Sequence, residues 1–259
     1  MKKYIVLFFI SALALFGGVI KTPILSVNES AQTVTVKVNK IDVGVSGFVV
    51  HRLGKYNASI LKDLTVVNYD ANTQIATLKM GEFDQLVQNA LPTGQWKVEV
   101  GDIAILAFGY SRALLIAPNE EVYYRITKAT KQLQWIHPDI FATTLAFNGH
   151  PTPLKEDFNK MSIATSAGLV FFYLNQKLFT VDAKSLKILN ISNAALTQDS
   201  LKLPFFSRVE KIESSWYDWF DEGAEELEEY EAYYYELLSE SNPNNRELQS
   251  EYTKHQSRG

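Results

Sequence analysis

From Gln32 to Val38 the order Gln-Thr-Val-Thr-Val-Lys-Val alternates strictly between polar and apolar side chains. A period of two places Val34, Val36 and Val38 on one face of a half-buried strand, and few other folds tolerate it. The pattern recurs downstream. Val43 to Leu53, with Gly44 and Gly47 inside it, predicts a strand that a glycine interrupts or bulges. Lys62 to Tyr69 and Thr73 to Met80 flank Asp70-Ala71-Asn72, turn-forming residues that suit a hairpin. A short helix is expected over Glu82 to Ala90, where Phe83, Leu86 and Val87 share a face, and Leu91-Pro92-Thr93-Gly94 stops it. Trp96 to Ile105 then resumes the alternation around a Val100-Gly101-Asp102 corner, and Ala113 to Ala117 adds an apolar strand ending at Pro118-Asn119. Strands of this length and spacing predict a small barrel or sandwich over residues 21–119.

After Asn119 the period changes. Glu120 to Thr130 reads as a helix, with acids at its start and Arg125, Lys128 and Lys131 toward its end, which matches the helix dipole. Asp139 to Phe147 and Leu154 to Met161 predict two more short helices. Strands return at Gly168 to Asn175, Lys177 to Asp182 and Ser185 to Ile191, with Asn175-Gln176 as the first turn. Residues 120–213 are therefore helices followed by a β-meander. The fold class expected for the whole chain is mixed, mainly β with several short α-helices (α+β).

The end of the chain is chemically a different object. Residues 1–213 carry 22 Lys and Arg against 17 Asp and Glu, a charge of +5, whereas residues 214–259 carry 3 against 12, a charge of −9. Trp216, Phe220, Ala224, Leu227, Tyr230, Tyr234 and Leu238 recur at intervals of three and four, which predicts an amphipathic acidic helix over residues 214–240. Its aromatic stripe suits docking on the body, and Trp and Tyr are also the residues that dominate protein-binding hot spots. Asp218, Asp221, Glu222, Glu225 and Glu226 spread along that helix as a solvated face, without the glycine-turned convergence of a calcium loop. Ser241-Asn242-Pro243-Asn244-Asn245 breaks the helix, and residues 241–259 are expected to be a flexible polar tail.

The other end reads as an address. Met1-Lys2-Lys3 precedes an apolar run from Ile5 to Ile20, interrupted by Ser11 and Gly17-Gly18. A basic start, a short apolar stretch and small residues after it make residues 1–20 a secretory signal peptide, with an uncleaved membrane anchor as the alternative. Export to the cell surface or outer envelope, as a binding protein, or to the periplasm, as a structural adaptor packing into an envelope assembly, follows from either.

Composition removes several kinds of chemistry. With 46% hydrophobic residues the chain can build a core, so global disorder is excluded. Without cysteine it has no disulfide framework, thiolate metal site or cysteine nucleophile. Its four histidines are scattered, and His137 and His150 each precede a proline in a loop. No Gly-x-Ser-x-Gly elbow or phosphate-binding glycine loop occurs. The lack of any sizeable basic cluster argues against nucleic acid as a partner. No catalytic, cofactor-binding or metal-ligating residue is assigned, and the chain is read as non-enzymatic.

Two segments carry a resemblance. Gly101-Asp102-Ile103-Ala104 followed by the run Ala113 to Tyr123, with Ala117-Pro118-Asn119-Glu120 at its centre, resembles the middle of the N-terminal domain of the Helicobacter-type plasminogen-binding surface proteins. Pro204-Phe205-Phe206-Ser207-Arg208-Val209-Glu210 resembles the motif that closes that domain, and Tyr233-Tyr234 falls where an aromatic pair follows it. The resemblance covers roughly residues 30–240. It implies a non-enzymatic surface protein with a protein partner, host plasminogen, whose kringle modules accept a lysine ammonium group in an anionic, aromatic-lined site. Members of the family continue into a lysine-rich tail, whereas Lys254 is the single lysine of this chain after residue 213. Binding candidates are therefore Lys202, Lys211 and Lys254, with Trp216, Trp219 and Tyr234. The motif residues also have structural roles. Pro118 ends a strand, Asn119 caps the following helix, Phe205 and Phe206 enter the core, and Arg208 pairs with a carboxylate of the tail helix.

Overall fold

The computed structural model describes residues 18–83, 96–196, 200–213 and 223–256. They fall into two compact units, one spanning Gly17–Phe108 and the other built mainly from Gly109–Gly259.

The first unit is a closed six-stranded barrel. Its strands are β1 (Ile20–Asn28), β2 (Thr33–Lys37), β3 (Ser46–Arg52), β4 (Ala58–Asp70), β5 (Ile75–Glu82) and β6 (Ile103–Leu106). They close in the order β1-β2-β5-β4-β3-β6, every pair antiparallel. Val34, Val36 and Val38 point inward, joined by Ile24, Val49, Leu64, Leu78 and Leu106, all buried. Closure leaves this sheet without an open edge.

Two local features make the closure possible. At Gly47 a Cβ would sit 2.1 Å from the carbonyl oxygen of Ile105 and 2.9 Å from Leu106 Cα, so β3 and β6 approach too closely for any side chain. The glycine therefore serves a backbone contact, and the β3–β4 register shifts instead between Val49 and Val50, where β4 carries the extra residue. At the Val100-Gly101-Asp102 corner, Gly101 has φ 97°, and Asp102 accepts the Glu99 N–H at 2.9 Å and meets His51 Nδ1 at 2.7 Å.

Strand β1 was not expected. Pro23 argues against a strand assignment, and the apolar run before it reads as the end of an address. The barrel nevertheless uses Ile20, opposite Leu106, and Pro23, opposite Ile103. Residues 1–17 of the expected signal lie outside the described residues. So does nearly all of the expected helix over Glu82 to Ala90, although Glu82 itself ends β5.

The second unit contains β7 (Arg112–Ile116), α1 (Glu120–Ala129), β8 (Gln134–Ile136), α2 (Pro138–Asn148), α3 (Lys155–Thr165), β9 (Leu169–Leu174), β10 (Lys177–Asp182), β11 (Ile188–Asn193), α4 (Tyr230–Ser241) and α5 (Arg246–Gln256). The strands form one sheet in the order β11-β10-β9-β7-β8. The meander β9-β10-β11 is antiparallel as expected, but β7 runs parallel to both β8 and β9. The strand at Ala113–Ala117, expected in the first β-rich piece, is thus an interior strand of the second sheet, between β8 and β9. Parallel strands need crossovers, and the helices after Asn119 provide them. Every residue of β9 is buried, as befits a strand covered on both faces.

The core of this unit is aromatic. Phe141 stacks on Phe205 with ring centroids 5.4 Å apart and meets Phe158 at 4.8 Å, while Tyr234 lies 5.4 Å from Phe172 and 4.9 Å from Tyr230.

The C-terminal region departs from expectation twice. Of the helix expected over residues 214–240, residues 214–222 lie outside the described residues, residues 223–229 run as an irregular strap, and the helix α4 begins at Tyr230. Glu225, Glu226, Glu228 and Glu229 would repel one another at helical spacing with no base between them, and Gly223 takes φ 92°. Thr152 holds the strap instead, its N–H on Gly223 O at 3.2 Å and its Oγ1 on Glu225 O at 2.6 Å. Beyond the break, where a flexible tail was expected over residues 241–259, Arg246–Gln256 form α5, and residues 257–259 lie outside the described residues. Asn245 Oδ1 accepts the Leu248 N–H at 3.1 Å as a cap, and Leu248 is fully buried.

Candidate protein-binding surface

The two motifs behind the resemblance meet in the second unit. Asn119 ends the loop after β7 and caps α1, its Oδ1 accepting from Val122 N at 2.9 Å. Its Nδ2 donates to Ser200 O, also at 2.9 Å, which ties the α1 terminus to the segment leading into the second motif. That segment continues the pairing. Lys202 N–H donates to Pro118 O at 2.8 Å and Phe206 N–H to Ala117 O at 2.7 Å. Phe205 is fully buried, and Phe206 is nearly so, 5.4 Å from the Tyr123 ring. The motifs form one packed knot.

Arg208 closes that knot on a different partner from the one expected. Its backbone N–H and Nε reach Asp139 in the first turn of α2, at 2.8 and 2.7 Å, and not a carboxylate of the tail helix. The first-turn acid of α4, Glu231, instead accepts from Asn175 N at 3.0 Å. Burial works against charge on Asp139, yet the backbone and side-chain N–H groups of Arg208, with His137, hold its carboxyl below the usual range. The same bond raises the Arg208 guanidinium.

The candidate binding residues divide. Lys202 is half-buried, and its ammonium donates to Ser207 O at 2.5 Å and Val209 O at 2.8 Å, so it braces the loop of the second motif. Lys211 and Lys254 are exposed, paired with Glu226 at 2.9 Å and Glu251 at 2.6 Å. Tyr234 is a core residue, fully buried with its hydroxyl on Pro204 O at 2.9 Å, and offers no surface to a partner. Trp216 and Trp219 lie outside the described residues. The candidates therefore do not form one site.

What sequence reading missed is a groove. One wall is the start of α3, with Leu154, Lys155 and Glu156; the other is α4, with Tyr233, Glu236 and Glu240; the strap crosses its end. Tyr233 donates its hydroxyl to Pro153 O at 2.5 Å and holds the walls together. The cavity measures about 1040 Å³. A run of acids was visible in the sequence, but not that a strap and two helices fold it around a concavity.

Beside it lies a tight cluster of titratable groups. His150, Glu156 and Asp157 bring ligand-type atoms within 4.8 Å of one another. Asp157 is fully buried and spends both oxygens on local donors: Asn148 Nδ2 at 2.8 Å, His150 Nδ1 at 2.9 Å and Leu154 N–H at 2.9 Å. Glu156 turns outward to Lys160 at 3.1 Å. That geometry caps α3 and seats the loop before it.

Comparison with known proteins agrees with the motif reading. The family described as "Plasminogen-binding protein pgbA N-terminal" matches residues 19–238, from the start of the barrel into α4. The chain belongs to this family. The Plasminogen-binding protein PgbA of Helicobacter pylori strain J99 is 30% identical over 177 residues, and that of strain 26695 is likewise 30% identical over 177 residues. Each alignment takes in 67% of this chain but only 38% and 37% of the relatives. No solved structure matches the chain. As a family domain it comprises a closed barrel and a mixed five-stranded sheet with its helices.

Proposed function

We propose that this chain is an exported, non-enzymatic binding protein of the cell envelope, and that its partner is plasminogen, the protein for which its Helicobacter relatives are named. The family match carries this reading, because it runs through both compact units and includes both motifs of the knot. Recognition of plasminogen is recognition of lysine, and Lys211 and Lys254 are the candidate lysines whose ammonium groups are exposed. Their ion pairs are surface pairs, worth about 0–1 kcal/mol, so a competing anionic pocket displaces Glu226 or Glu251 at little cost.

The test is binding of the purified chain to immobilised plasminogen with and without 6-aminohexanoate. Binding that the lysine analogue abolishes, and that K211A/K254A weakens, supports the reading. No binding at micromolar protein overturns it. Protease shaving of intact cells tests the location: a surface protein is removed, whereas a periplasmic one survives.

A further inference from the structure

The groove between α3, α4 and the strap has a chemistry that a lysine-presenting surface does not need. Its walls bring together Glu156, Glu225, Glu226, Glu228, Glu236 and Glu240, with Lys155 as the cation among them. Lys155 is itself turned to Ser241 Oγ at 3.2 Å. Glu156 and Glu226 have their own lysines, and Glu236 accepts the Tyr252 hydroxyl at 3.1 Å. Glu225, Glu228 and Glu240 are exposed and have no cation in ion-pair contact among the described residues. Between the carboxylates the surface is apolar, with Leu154, Leu227 and Tyr233 each half-exposed and Leu237 at the base.

Three features decide the occupant. A concavity lined by six glutamates against one lysine is predominantly anionic and focuses its field, so the favoured ligand is cationic. Bound calcium needs several oxygens at about 2.4 Å from one point. The groove carboxylates do not converge on one another in that way, since the one metal-compatible cluster among the described residues takes only Glu156 from the groove, with His150 and Asp157. Carboxylates not gathered around one point suit several separate positive charges and not a single ion. The third feature is size and polarity. About 1040 Å³ is at the upper end for a small-molecule site, and the apolar ground between the acids asks for apolar side chains between the cations.

We infer that this groove docks a lysine- or arginine-rich amphipathic segment of a partner protein, apolar side chains against Leu154, Leu227 and Tyr233 and cations against Glu225, Glu228 and Glu240. Its polarity is opposite to that of the plasminogen reading, in which this chain gives the cation and the partner the acid. Lys211 borders the groove through Glu226, but the two readings use different side chains, Lys211 and Lys254 in one and Glu225, Glu228 and Glu240 in the other, so they fail or succeed separately.

The probe is a fluorescein-labelled decapeptide alternating lysine and leucine, measured by fluorescence anisotropy on the full chain at low and physiological salt. Its counterpart alternates glutamate and leucine. The expected result is saturable binding of the lysine peptide that weakens with salt. The E225Q/E228Q/E240Q variant should lose about tenfold in affinity, three surface charge contacts together, with an unchanged thermal melt. Charge reversal, E225K/E228K/E240K, should lose more and serves as the second variant. Equal binding of both peptides, or of the lysine peptide to parent and glutamine variant, overturns the inference. So does calcium that binds alone while the peptide does not. A dimer at low salt that the glutamine variant abolishes, without peptide binding, assigns the groove to a second copy and also overturns it. Plasminogen binding through Lys211 and Lys254 should survive the glutamine substitutions, which keeps failure here distinct from failure there.

Discussion

Tyr230 donates its buried phenolic hydroxyl to the carbonyl oxygen of Ile116 at 3.1 Å, and so hangs α4 on β7, 114 residues earlier in the chain. The same hydroxyl lies 3.2 Å from Tyr173 O in β9. One side chain therefore bridges two parallel strands from above, and the acidic C-terminal helix is integral to the second unit.

Replacing Tyr230 with Phe removes the donor and keeps the ring. Two buried carbonyls lose a partner, so the second unit should lose about 1–2 kcal/mol, read as a lower urea midpoint with an unchanged m-value. An unchanged midpoint would show that the hydroxyl contributes nothing net.

The same aromatic layer predicts alkaline sensitivity. Burial, which penalises the phenolate, raises Tyr230 and Tyr234 well above the ordinary tyrosine value of 10.0 and raises Tyr235 as well. A group whose folded pKa is raised contributes stability that is complete below its unfolded pKa and is lost as pH rises through the folded one. Stability should hold below pH 10 and fall above it. The Y230F/Y234F double variant should fall less steeply over that range. Parallel curves for parent and variant would sink the prediction.

Asn119 performs two tasks that substitution can separate. Asn119→Ala removes the cap on Val122 N and the bond to Ser200 O, and should cost about 2 kcal/mol. Asn119→Asp keeps an acceptor for the cap and loses only the Nδ2 donor, so it should recover about half of that. Thermal melts of the three proteins measure the order; equal melts for the alanine and aspartate variants would contradict it.

Gly47→Ala tests the close approach in the barrel. A Cβ placed 2.1 Å from Ile105 O cannot be accommodated without separating β3 from β6. The expected loss is about 3 kcal/mol, at the upper end for overpacking. Amide hydrogen exchange should speed up in β3 and β6, and unchanged protection there would refute the account.

Much of the barrel was legible because its signal is local. The alternation through Val34, Val36 and Val38, the Asp70-Ala71-Asn72 turn and the Gly101 corner act on neighbouring residues. β1 was hidden by Pro23 and by an apolar run that reads equally well as an address. In the second unit the caps were legible too, Asn119 above all. The helical spacing misled over residues 223–229, because period counts apolar positions and ignores repulsion among Glu225, Glu226, Glu228 and Glu229. Arg208 was expected to find an acid, but which acid depends on where α2 begins in space.

By itself, then, the sequence determined the strand and helix types, most turns and caps, the β-rich class and the acidic character of the C-terminal region, all of which follow from contacts within a few residues. Only the tertiary structure decided that β7 runs parallel to β8 and β9, that Tyr234 is core while Lys211 and Lys254 are surface, and that the acids around α4 line a groove. Those outcomes depend on pairings between residues up to 114 positions apart, where burial, and not local period, chooses the partner.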